Sequence, residues 1–280
     1  MKTISSRQNP IVRAYRELAS EPDAGDARVL LDGVHLVRDA HAAALTFESV
    51  AIAASRLASQ TEEGDVARAL ESAGAPVVTV TDAVFEAMSP VRSPSGIVAI
   101  ARRNSSDLSA VCNATNGFTL VAVDVQDPGN LGALIRAAEA GGVTGLVVTG
   151  ASAHPFSWKA LRGSMGSALR LPVATAPGVS AIVNCVRAGG TRTVASVPRG
   201  GRAPDEIDWT GPVALFLGGE GPGLPTDIVS RCDERVTIPM ASGVESLNVA
   251  VAGAILIYAA RRQRSPLDAA RGGLSASRRP

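Results

Sequence analysis

Lysine is nearly missing from this chain of 280 residues. Of 27 basic residues only Lys2 and Lys159 are lysine, which leaves 25 arginines. Arginine suits bidentate phosphate contacts, but a GC-rich genome gives the same bias, so the excess alone assigns no partner. Aromatic residues make up 3%, too few for base stacking on an aromatic platform to be the main binding mode. The formal net charge is +1, so no bulk positive field advertises nucleic acid. Cys112, Cys185 and Cys232 are widely spaced and never form a CxxC pair, which excludes a disulfide framework or zinc ribbon and fits a reducing compartment. His35, His41 and His154 are too scattered for a histidine metal site. The N-terminal MKTISSRQNP lacks the apolar stretch of a signal peptide. The longest apolar run, Val249–Ala260, has twelve residues, too short to span a bilayer and long enough for a buried helix. A cytoplasmic protein is expected, without a membrane segment or a metal.

What is present is a core. Hydrophobic residues are 46% and charged residues 19%, which excludes wholesale disorder, and the length suits one large domain or two smaller ones. Residues 1–103 read as a small α/β unit, with strands at Val29–Leu31, Val50–Ala53, Val77–Val80 and Ile97–Ala101 and helices at Val34–Ala44 and Gly64–Ala73. Residues 104–117 are polar without a sustained period and read as a linker. From Phe118 onward FTLVAV, TGLVVTG, TRTVASV, VALFLG and RVTIP are unalternating apolar runs separated by helical segments. That pattern predicts a parallel sheet covered on both faces. The last helix is expected at Ser246–Gln263, within a domain spanning 118–263, and the small, polar, basic residues 264–280 read as a disordered tail.

Ligands of open parallel sheets bind at the carboxyl ends of the strands, and three such places stand out. In VDVQDPGNLGALIRAAEAGG, Asn130 occupies an expected N-cap and Arg136 follows six residues later. Alone, this reads equally as a capped helix with one solvent arginine. In LFLGGEGPGLP, four glycines surround Glu220 after a strand. Without GxxxxGK[ST] or GxGxxG, the segment is either a ligand loop or a flexible turn. In VTIPMASGVESLNVAVA, Ser246 is a candidate N-cap, and Asn248 is an amide needing a partner at the start of an apolar helix.

In their order and spacing, DPGN-x-G-x-x-x-R, LFLGGEGPGL and IPM-x5-SLNVAVA resemble the three motifs of the SpoU (TrmH-type) class of SPOUT RNA methyltransferases. Those enzymes move a methyl group from S-adenosylmethionine to a ribose 2′-hydroxyl. The N-terminal LLDGVHLVRDA and SPSGIVAIARR are similar to that family's small L30e-like substrate-binding domain, with Asp32-Gly33 where the family usually has Glu-Gly.

The resemblance implies a C-terminal parallel-sheet SPOUT domain with a deep trefoil knot, plus the smaller L30e-like α/β domain. It implies a homodimer, with the apolar last helix as the natural dimer element. It assigns cofactor contacts to Gly218, Ile238 (ending the strand after the glycine loop) and Leu247, and catalytic roles to Asn130, Arg136, Glu220, Ser246 and Asn248. A guanidinium with a pKa above about 12 is no free base, so Arg136 is read as clamping a phosphate and orienting the ribose, the proton leaving to a phosphate oxygen or to a transiently perturbed Arg136. Asn130 holds Arg136 or the ribose, and Glu220 fixes the glycine loop or the arginine. Ser246 and Asn248 position the nucleotide or the loop. The implied acceptor is folded RNA, ribosomal RNA above all, because a second domain gives a second RNA contact. Local arginines must then supply affinity: Arg7, Arg13 and Arg16, Arg162 and Arg170, Arg199 and Arg202, and the tail. The alternatives are a tRNA 2′-O-methyltransferase, a thiopeptide-resistance rRNA methyltransferase and a catalytically silent RNA-binding protein on the same fold. A doubly wound enzyme with a nucleotide cofactor is disfavoured by the missing fingerprints.

Overall fold

The computed structural model describes residues 2–20, 26–103, 106–114 and 116–264. They form two compact units. One holds the described residues up to 103 together with 127–136 and 153–171; the other holds 106–126, 137–152 and 172–264. In chain order the first hundred residues give β1 (Lys2–Ile4), α1 (Pro10–Ser20), β2 (Arg28–Asp32), α2 (Val34–Ala42), β3 (Thr46–Ala53), α3 (Ala54–Ala58), α4 (Glu62–Ser72), β4 (Val77–Val80), α5 (Asp82–Met88) and β5 (Ile97–Arg102). Then come α6 (Leu108–Cys112), β6 (Phe118–Val123), α7 (Pro128–Gly141), β7 (Gly145–Thr149), α8 (Trp158–Ser164), α9 (Ser167–Arg170), β8 (Val173–Ala176) and α10 (Val179–Ala188). The chain continues through β9 (Arg192–Ser196), β10 (Val213–Gly218), α11 (Thr226–Arg231), β11 (Glu234–Val236) and α12 (Val249–Arg264).

The first unit carries a five-stranded sheet in the order β1-β4-β3-β5-β2. β5 runs antiparallel to both its neighbours, while β1, β4 and β3 are parallel. Val12, Tyr15 and Leu18 of α1 pack into a core with Val80, Phe85 and Ile100. The buried Tyr15 hydroxyl is satisfied by the Ser49 carbonyl at 2.9 Å and the Ser49 hydroxyl at 2.7 Å, as a buried hydroxyl requires. Gly33 starts α2 at φ 100°, a conformation that favours glycine, and its N–H donates to Ile97. In the same unit Trp158 packs against the core and its indole N–H donates to Ala19 at 3.1 Å. Arg170 is paired with Asp39 at 3.3 Å, so that arginine is committed to the fold.

The second unit carries a six-stranded sheet, all parallel, in the order β11-β9-β10-β6-β7-β8. β6 and β7 are buried at every residue, as unalternating apolar runs predict. β8, a four-residue strand buried only at its first half, was not expected. Within the segment read as a linker, Leu108–Cys112 is a short helix, because Val111 and Cys112 join the core of Val121, Ile182 and Phe216. The tail expected to be disordered lies outside the described residues beyond Arg264.

Three local expectations are corrected. α7 starts at Pro128, so Asn130 is not its N-cap. Asp127 takes that place, its carboxylate accepting from the Asn130 N–H at 2.7 Å, and Pro128 fits the first helical position, where no N–H is needed. α12 starts at Val249, so the cap is Asn248 and not Ser246. The Asn248 side-chain oxygen accepts from the N–H groups of Ala250 at 2.9 Å and Val251 at 3.2 Å. Ile238 does not end a strand. β11 pairs with β9, whose last residue Ser196 lies opposite Val236, and beyond that Val236 makes only a single bridge to Arg202, to whose carbonyl the Thr237 N–H donates.

Candidate active site

The carboxyl ends of β9 and β10, the segment after β11 and the start of α12 enclose a cavity of about 310 Å³. Six predicted site residues line it: Gly218, Glu220, Ile238, Ser246, Leu247 and Asn248. Asn130 and Arg136 are not among its lining. They stand on the part of α7 that belongs to the first unit. Sequence reading missed Ser196–Pro198 and Met240, which also face the cavity. The strand-end rule applied to TRTVASV would have pointed to the first of these.

The glycines are there because backbone fills the space a side chain would need. A Cβ on Gly218 would stand 2.2 Å from the Gly223 carbonyl carbon and 2.3 Å from the Leu224 nitrogen, so the loop closes on itself. A Cβ on Gly219 would stand 1.7 Å from the Asp124 carbonyl oxygen. Gly221 and Gly223 turn the loop with φ of 97° and 68°. The Glu220 carboxylate accepts from the Gln126 N–H at 3.3 Å, which ties the loop to the segment after β6. The Asn248 side-chain oxygen accepts from the first turn of α12, and the same residue lines the cavity.

No cysteine lines the cavity. Burial pushes the Cys112 thiol up to about 12 and the Cys232 thiol up to about 11. Among the described residues no group of three or more His, Cys, Asp or Glu could hold a metal ion, and no helix is long and apolar enough to cross a membrane. What the cavity offers is a glycine-loop wall with apolar, hydroxyl, carboxylate and amide linings, suited to holding an organic ligand.

Comparison with known proteins identifies the architecture. Residues 117–258 match the SpoU rRNA Methylase family, and residues 9–99 match the MRM3-like substrate binding domain. An uncharacterised tRNA/rRNA methyltransferase of Synechocystis sp. is 33% identical over 94% of this chain and 94% of its own length. The 23S rRNA (guanosine(2553)-2′-O)-methyltransferase RlmP of Bacillus subtilis is 30% identical over 92% of this chain and 98% of its own. The crystal structure of an AdoMet-bound rRNA methyltransferase from Sinorhizobium meliloti superposes with a TM-score of 0.82, at 29% identity, covering 93% of this chain and 97% of that one. With both family matches and a strand-end cavity assembled from the second and third motifs, the chain belongs to the SpoU family and is an S-adenosylmethionine-dependent RNA 2′-O-methyltransferase.

Proposed function

We propose that the chain methylates a ribose 2′-hydroxyl of ribosomal RNA, with S-adenosylmethionine held in the cavity between the glycine loop and the start of α12. The observation that carries this reading is the glycine loop beside the cavity: Gly218 and Gly219 leave no room for a Cβ, so the loop packs closely on its own backbone and on Asp124 and forms one side of a cavity that Ile238 and Leu247 also line. The cofactor, when bound, supplies a methyl group already activated for displacement. What remains for the chain is to align the hydroxyl and provide for loss of its proton. Arg136 takes the acceptor side, gripping a phosphate with its planar fork and orienting the ribose. Asn130 supports the same side. Glu220 holds the glycine loop through Gln126, and Ser246 and the Asn248 amide position the nucleotide.

The same reading gives residues 1–103 the task of selecting the RNA and residues 118–263 that of holding the cofactor, within a chain that takes the family's deep trefoil knot. It makes the protein a cytoplasmic homodimer. Val251, Ile255 and Tyr258 of α12 are 50%, 41% and 48% exposed at helical spacing, an apolar stripe that a second copy would cover.

The test is transfer of labelled methyl from S-adenosylmethionine to total RNA, followed by mapping of the 2′-O-methylated nucleotide. The wild-type protein labels ribosomal RNA. Arg136→Lys binds the cofactor normally and fails to transfer, because a point charge cannot make the bidentate contact. Label confined to transfer RNA would overturn the acceptor, and full turnover by Arg136→Lys would overturn the arginine's role.

A further inference from the structure

Asp124 stands outside every motif residue assigned above. It follows β6 directly, and its backbone lies in the left-handed region at φ 56°, one of four described residues other than glycine that do so. Such a conformation costs an ordinary residue roughly 1–2 kcal/mol, and Asp and Asn tolerate it best. Something must hold it there. The Asp124 carboxylate accepts from the Ala151 N–H at 2.7 Å, which ties β6 to the loop after β7. Gly150 has no room for a side chain because that carboxylate oxygen would stand 2.2 Å from its Cβ. On the other side, the Asp124 carbonyl lies against Gly219, whose N–H donates to Val123 at 2.7 Å. The next residues continue the junction: the Val125 N–H donates to Ser152 at 3.0 Å and the Gln126 N–H to Glu220 at 3.3 Å. Three strand-end loops therefore meet at one strained residue, and one of them is the glycine loop that walls the cavity.

We infer that Asp124 is a positioning residue for the cofactor cavity: its carboxylate, anchored on Ala151, holds the post-β6 turn in the conformation that seats Gly219 and thereby shapes the Gly218–Gly223 loop. Asp124 does not line the cavity and acts only through that loop. The inference rests on the cofactor occupying this cavity, so its test must separate the two ideas.

Three substitutions split the possible contributions. Asp124→Asn keeps both the oxygen acceptor and the tolerance for positive φ. Asp124→Gly keeps the backbone freedom and loses the acceptor. Gly150→Ala leaves Asp124 in place, pushes its carboxylate away from Ala151 and also strains the backbone at φ 69°. Cofactor affinity is read by titration calorimetry, thermal stability by melting, and kcat at saturating S-adenosylmethionine. Leu247→Trp, in a partly exposed lining residue outside any helix or strand, controls for the cavity itself. Asp124→Asn should bind within about threefold of wild type. Asp124→Gly and Gly150→Ala should each weaken binding by about tenfold, the loss of one charge-assisted hydrogen bond. Their kcat at saturation should stay within about threefold of wild type, because no reacting group is touched. Leu247→Trp should weaken binding without lowering the melting temperature. Should Leu247→Trp bind normally, the cavity is not the cofactor site and the inference falls with it. Should Leu247→Trp bind weakly while Asp124→Gly binds like wild type, or should Asp124→Asn bind as weakly as Asp124→Gly, the carboxylate does not position the loop.

Discussion

Asn248 carries two roles that substitution can pull apart. Its side-chain oxygen accepts from two backbone N–H groups in the first turn of α12, and the residue lines the cavity. Replacing an Asn cap by alanine costs about 1 kcal/mol. For a chain of this size, that lowers the melting temperature by about 2–4 °C. Asn248→Asp preserves both accepted bonds and adds a negative charge at a helix N-terminus, worth about 0.3–1 kcal/mol in the opposite direction. Its stability should therefore equal or exceed that of the wild type. What aspartate lacks is the amide N–H donor. If that donor addresses the RNA or the cofactor, Asn248→Asp should lose at least about tenfold in methyl transfer, near 1.4 kcal/mol, while melting normally. Melting by circular dichroism and methyl transfer on the same samples decide the matter. An Asn248→Asp protein that melts as low as Asn248→Ala would refute the capping argument. One that melts normally and methylates at full rate would refute the donor.

Gly132→Ala should destabilise even though alanine is the better helix former. The added Cβ would stand 2.6 Å from the Ala160 carbonyl oxygen and 2.9 Å from the Gly163 Cα, both backbone atoms that cannot step aside. A loss of about 1–3 kcal/mol in chemical denaturation is expected, and unchanged stability would mean the α7–α8 approach is looser than described. Asp32→Asn should stabilise at neutral pH. Burial pushes the Asp32 carboxyl above its ordinary 3.8, so the folded protein binds that proton more tightly than the unfolded chain does. The stability this group contributes is full below the ordinary value and is lost as pH rises through the raised one. The amide keeps the oxygen that accepts from Ser89 at 3.0 Å, so the gain should shrink as pH falls toward about 4, and a pH-independent gain would refute the cause.

Sequence reading reached furthest where one physical rule decided the outcome. Unbroken runs such as FTLVAV give parallel strands because both faces are covered, and the strand ends then locate the glycine loop. It failed where competition between neighbours decides. Asp127 and Asn130 are both good caps, and only the backbone shows that the earlier one wins. Ser246 lost to Asn248 in the same way. Ile238 was read into a strand because VTIP looks extended, but a strand lasts only while its partner does, and β9 stops at Ser196. Asp124 gave no signal, since its importance lies in a left-handed φ and in contacts with residues distant in the chain. Arg202, expected on RNA, is paired with Glu234 at 2.9 Å, a partner 32 positions away that no local pattern reveals.

The division of labour proposed for the two halves meets its hardest test in a shortened chain. Residues 106–264 keep all six parallel strands, α12 and every lining residue of the cavity, so such a chain should bind S-adenosylmethionine with the affinity of the whole protein. Yet α8 and α9 belong to the compact unit of the first hundred residues. Cutting there removes Ala19, which receives the Trp158 indole N–H, and Asp39, which pairs with Arg170. It also strips Arg103 from the face of Phe156, 4.3 Å from the ring centroid. Two aromatic side chains would lose their cover, and exposed apolar surface of that kind drives association. The shortened chain should therefore aggregate at concentrations where the whole protein does not, and Trp158→Gln with Phe156→Gln should restore solubility without restoring RNA methylation. Light scattering, calorimetry and methyl transfer on the soluble variant give the answer. Failure of that variant to bind the cofactor would show that residues 127–171 need the N-terminal half in order to fold, so that no boundary near residue 118 exists. Methylation of ribosomal RNA at the full rate by the same variant would show that the N-terminal half does not select the RNA.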